Sequence, residues 1–155
     1  MAPFGPRHFL ALLPSTLAAV CFYCGEPSSC RDHPLPWATF GVAWWLPACT
    51  ECNLSLSDAA FPTLGARARR VREALQTKHR RALGRDCRER LAGTKGRVRL
   101  ALLAESSLVA TVRQRLAWAD AVALATAELP TSELYAARAQ LASCLTKLLG
   151  RLREP

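Results

Sequence analysis

Four cysteines in two close pairs, Cys21/Cys24 and Cys49/Cys52, constrain this chain more than any other feature. A two-residue gap turns both sulfurs of a pair toward one side, so two such pairs can surround a single tetrahedral ion. Zn²⁺ is the expected occupant, and a rubredoxin-like iron site has the same donors and stays open as an alternative. A metal staple lets a short segment fold with a smaller core than it would otherwise need. Asp32 and His33 lie between the two pairs, and Asn53 follows the last cysteine directly. His33 is a candidate general base, while Asp32 and Asn53 offer the oxygen donors that a hard cation such as Mg²⁺ or Mn²⁺ prefers.

The remaining cysteines favour metal over disulfides. The chain has seven, an odd number, and the paired spacing points to a reducing compartment. Cys144 falls on an apolar helical position and Cys87 in a charged segment, whereas Cys30 is near enough to the knuckles to stay open as a swapped ligand. Residues 9–20 are largely apolar and follow Arg7, but Pro14, Ser15 and Thr16 interrupt them and the pattern before a cleavage site is poor. This segment is expected to pack on the metal unit as a lead-in. With no apolar run of about 18 uninterrupted residues, no membrane span is expected, and a soluble cytoplasmic protein follows.

The chain is 155 residues long, 50% hydrophobic and 21% charged, which is a folding composition and not a disordered one. Four parts are expected: a lead-in at 1–20, a knuckle unit at 21–60, a basic helical region at 61–92 and a helical region at 93–155. Within the knuckle unit, 28–33 reads as a strand carrying Asp32 and His33. Residues 42–46 read as a second strand that Pro47 stops, and Thr50 is placed to cap a helix. Trp37, Phe40, Trp44 and Trp45 can stack on bases, but covering a small metal unit is the expectation favoured for them. Leu64, Ala68, Val71, Leu75 and Ala82 keep a three-to-four spacing, so one helix face can dock. A second helix is expected over 98–129, with Ser106 and Ser107 as an interruption. Pro130 closes it, and Thr131 caps a last helix with an apolar stripe of Leu134, Ala137, Leu141, Cys144, Leu148 and Leu152. These two helices should pair as a hairpin or with a second copy of the chain, giving a homodimer.

The formal net charge is +9, and nearly all of it comes from one stretch. Between Ala66 and Leu100 thirteen lysines and arginines stand against Glu73, Asp86 and Glu89 alone. Such density is the footprint of a phosphate-backbone binder, and a solvated arginine-rich face is the plainer alternative. Arg67, Arg70, Arg72, Lys78 and Arg81 are the expected DNA contacts, since they project from helix positions outside the apolar face.

CFYCG, RDHPLP and WWLPACTECN together resemble the HNH family of ββα-metal nucleases, in the zinc-knuckle branch that includes the recombination endonuclease VII type. The resemblance covers Cys21 to about Asp58, with a looser echo from Phe61 to Arg70. It implies an α+β protein, with a small zinc-stapled, treble-clef-like ββα-metal unit followed by a mainly helical C-terminal region. It further implies structural zinc at Cys21, Cys24, Cys49 and Cys52, a catalytic Mg²⁺ or Mn²⁺ held by Asp32 and Asn53, and His33 as the base that activates water. DNA phosphodiester hydrolysis is the implied activity. Two places depart from the family pattern. Trp44 stands where an asparagine usually ties down the loop carrying the base, and Leu56 replaces a basic residue after the metal-binding asparagine. A catalytically degenerate DNA-binding or scaffolding protein is therefore the alternative.

Overall fold

Strand β3, Val42–Ala48, has the aromatic and branched side chains that suit a pleated surface, and it forms the centre of a three-stranded sheet. The computed structural model describes residues 8–35, 42–57, 59–84, 90–91 and 93–153. Strand β1, His8–Ala11, pairs parallel to β3 with His8 opposite Val42, and β2, Cys30–Asp32, pairs antiparallel with Asp32 opposite Leu46. The strand order is β1-β3-β2. Pro47 lies within β3 and does not stop it. β1 pairs with β3 only as far as Trp45, so no ladder bond to β1 calls on the missing N–H of Pro47, and its carbonyl still accepts from Phe22 N. The lead-in does pack on the metal unit, with Leu12 and Leu13 buried, but as a strand that the proline-broken sequence did not reveal.

Helix α1, Thr50–Leu56, follows β3 at once. Its N-cap is Cys49 and not Thr50, because the Cys49 sulfur accepts from the Cys52 amide at 3.5 Å. Helix α2, Leu64–Lys78, is capped by Thr63, whose hydroxyl accepts from Ala66 N at 3.1 Å. Its Leu64, Ala68, Val71 and Leu75 are buried as the spacing predicts, but it ends before Ala82. Ala82 belongs instead to α3, Arg80–Leu83.

Helix α4, Gly96–Ala125, runs unbroken through Ser106 and Ser107. Its main packing partner is α2 and not the last helix. The two run antiparallel: Gly65 N donates to Thr126 O at 3.0 Å near one end, and Arg72 meets Asp120 farther along. Gly65 permits this approach, since a Cβ there would lie 2.5 Å from the Ala127 backbone. After Pro130, Thr131 opens only a single 3₁₀ turn, and the last helix, α5, spans Arg138–Arg153. Leu134, Leu141, Leu145 and Leu148 are buried. Buried residues of the knuckles, α2, α4 and α5 belong to one core cluster. Among the described residues, no helix is long and apolar enough to cross a membrane. The molecule is thus α+β, a small sheet with a mostly helical remainder.

Candidate metal centre and its polar surroundings

The first knuckle turns on Gly25, whose φ of 77° is left-handed and whose amide donates to Cys21 O at 3.0 Å. A Cβ at Gly25 would strike the Trp118 ring at 2.8 Å, so glycine is required twice over. Trp118, from α4, donates its indole N–H to Phe22 O at 2.9 Å and seals this knuckle. The second knuckle is the β3–α1 junction. Together they bring the sulfurs of Cys21, Cys24, Cys49 and Cys52 within 4.8 Å of one another. Zn–S bonds of about 2.3 Å give a tetrahedron with edges of about 3.8 Å. The Cys24 and Cys49 sulfurs lie 3.7 Å apart, so this donor set fits such an ion. Cys30 stands outside the cluster, with its sulfur 3.4 Å from Thr50 Oγ1.

Within the cluster, Cys24 and Cys49 form one edge. Sulfur hydrogen bonds from Cys21, Cys24 and Cys52 push the Cys49 thiol far below its ordinary range, and Cys21 pushes Cys24 down as well. Arg115 of α4 reaches this edge, with Nη2 at 4.0 Å from Cys49 Sγ and 2.6 Å from Glu51 Oε2. Burial works against a charged guanidinium here, yet the Cys24 thiolate and Glu51 hold the Arg115 pKa above the usual arginine range. Glu51 also accepts from Lys78 Nζ at 2.9 Å and His79 Nε2 at 3.0 Å, which ties the end of α2 to the second knuckle. Burial opposes its ionisation, but Lys78 and Arg115 outweigh it and lower the pKa.

Asp32 lies in a buried ion-pair environment. It is 2% exposed, and both carboxylate oxygens are engaged. Arg67 Nη2 lies 2.5 Å from Oδ1, Arg67 Nε lies 3.0 Å from Oδ2, and the Tyr23 hydroxyl donates to Oδ2. Burial and the Asp32 charge raise the Tyr23 pKa, so the phenol keeps the proton it donates. Arg67 is completed by Ala59 O at 3.0 Å and by the Phe61 ring. Asp32, expected to face a hard cation, and Arg67, expected to face a DNA phosphate, form a buried bidentate ion pair with each other. An arginine directed into a core meets a carboxylate because an unpaired buried charge costs several kcal/mol.

His33 is half-buried, and its Nδ1 lies 3.2 Å from Trp44 O. The backbone of Trp44 therefore tethers the His33 ring. The Trp44 ring stacks on Tyr135 at 4.2 Å, in keeping with a covering role, and Arg31 lies over Trp45. Trp37, Phe40 and Cys87 lie outside the described residues. Asn53 is half-buried on α1, which packs against β2.

The other expected DNA contacts divide. Arg70 and Arg81 are exposed; Arg72 is partly covered and paired with Asp120 at 3.0 Å; Lys78 is exposed but paired with Glu51. Tyr23, Glu51, Arg115 and Trp118 were not anticipated. Arg67 and Arg115 did carry a sequence signal, since each falls on the buried face of its helix, between Leu64 and Val71 and between Val112 and Ala119. Compared with family models, curated proteins and solved structures, the chain matches none.

Proposed function

We propose that this chain is a zinc-stapled DNA-binding module. Four thiolates at tetrahedral spacing suit Zn²⁺, and a staple of this kind, treble-clef-like in layout, would hold the basic helices to a small sheet. The basic surface supports DNA as the partner: Arg69, Arg70, Arg80 and Arg81 are exposed along α2 and α3, and Arg97 and Arg99 are exposed at the start of α4. The observation that favours binding over cutting is the Asp32–Arg67 pair. A catalytic Mg²⁺ needs a carboxylate with a lone pair turned to an open site, and Asp32 is buried with both oxygens engaged.

Metal-dependent endonuclease activity is the second reading, and one observation favours it. A proton on Nδ1 of His33, donated to Trp44 O, leaves Nε2 as the basic nitrogen, which is the form a general base requires. Mg²⁺ or Mn²⁺ at Asp32 and Asn53 would then require Arg67 to withdraw. Fluorescence anisotropy with a labelled duplex tests the first reading. The zinc-loaded protein should bind with an affinity that falls steeply with salt, and a salt-independent or absent response would overturn it.

A further inference from the structure

We propose that Arg115 is the counter-charge of the metal centre, a positioning residue that couples occupation of the four cysteines to the docking of α4. The inference rests on the reading that those cysteines hold a divalent ion. Four thiolates around such an ion leave a net charge of −2, and a centre this buried needs a cation beside it. Arg115 is the cation the fold supplies. It is 8% exposed, reaches Cys49 Sγ at 4.0 Å and is anchored by Glu51 at 2.6 Å. Among the described residues its Nε is buried with no hydrogen-bond partner, an expensive state for a guanidinium that only tied two helices together. A strongly charged tetrathiolate offsets that cost electrostatically.

The coupling follows from where Arg115 sits. One turn further along α4, Trp118 closes the first knuckle through Phe22 O, while Arg115 closes the second. Glu51 joins the same group to Lys78 and His79 at the end of α2. Without the ion, the attraction that holds Arg115 in a buried site weakens, and α4 loses its hold on both knuckles together. The metal then acts at a distance on the basic helices, although no side chain of α2 joins the sulfur cluster.

The test compares wild type, Arg115→Met and Arg115→Lys, each loaded with zinc, by the rate of zinc transfer to a chromophoric chelator. Arg115→Met should release zinc about tenfold faster or more, as expected for loss of an outer-shell partner, with Arg115→Lys in between. A second readout uses the cobalt-substituted proteins. Removing the cation raises the energy of the sulfur electrons, so the sulfur-to-cobalt charge-transfer bands should move to longer wavelength in Arg115→Met, which a purely structural role would not produce. If Arg115→Met does not fold, a smaller shift of the same sign in Arg115→Lys carries the test. Wild-type release rates and spectra in the variants would overturn the proposal. A wild-type protein that takes up no divalent metal would overturn the metal reading itself.

Discussion

The two faces of α2 use the same residue in opposite ways. Arg67 is 2% exposed and clamps Asp32, whereas Arg70, one turn later, is exposed to solvent. Counted along the chain the two are equivalent; in the fold one is a strut and the other a surface cation. Charge density therefore overstates the exposed basic surface by the arginines that the core has taken in. The distinction follows from helical position alone, since Arg67 shares the face of Leu64, Ala68 and Val71.

Breaking the inner face should cost most. Arg67→Met leaves Asp32 buried beside an apolar side chain, and urea denaturation of the zinc-loaded protein should show a loss of about 3–5 kcal/mol. A loss under 1 kcal/mol would mean that the carboxylate finds water or a cation, which would return Asp32 to the role of a metal ligand.

Gly65→Ala probes the same face at its closest contact. Alanine ordinarily stabilises a helix interior by up to about 1 kcal/mol. Here the added methyl would meet the backbone of Ala127 and the Ala123 carbonyl, so a net destabilisation of about 1–3 kcal/mol is expected in the same measurement.

Glu51 should make stability depend on acid. Its folded pKa is depressed, so its contribution is present above the unfolded carboxylate pKa and lost as pH falls through the folded one. The stability gap between wild type and Glu51→Gln should therefore be widest at neutral pH and close in acid. A gap that widened on acidification would contradict the depressed pKa. Because metal release affects both proteins, their difference is the quantity to follow.

The outer face should show the reverse profile. Arg70→Gln with Arg81→Gln should change unfolding free energy by less than about 0.5 kcal/mol. The same pair should lower the slope of log affinity against log salt by about 2 if both cations contact phosphate. An unchanged slope would move the DNA surface to the start of α4.

Much of this fold was legible because local rules set it. Cysteines paired across a two-residue gap, the aromatic strand before Ala48, and the apolar periodicity from Leu64 to Leu75 each act over a few residues and were found with the structure in agreement. What was missed depends on tertiary partners. The β1 strand exists only because β3 accepts it in parallel register, and Cys49 displaces Thr50 as the helix cap because its sulfur is held at the cluster. The pairing of α4 with α2, where a hairpin with α5 was expected, depends on the close approach at Gly65. At the candidate site, donor types were readable but their partners were not. Asp32 next to His33 looks the same in sequence whether the carboxylate faces a cation or the guanidinium of Arg67, thirty-five residues later.

Binding without cutting is the central claim, and supercoiled plasmid tests it directly. Incubated with zinc-loaded protein and Mg²⁺ or Mn²⁺, the plasmid should be retarded on a native gel, and should return as intact supercoiled DNA once the protein is removed. Open-circular or linear product from the wild type, absent with His33→Ala, would contradict the account and restore Asp32, His33 and Asn53 as a nuclease centre.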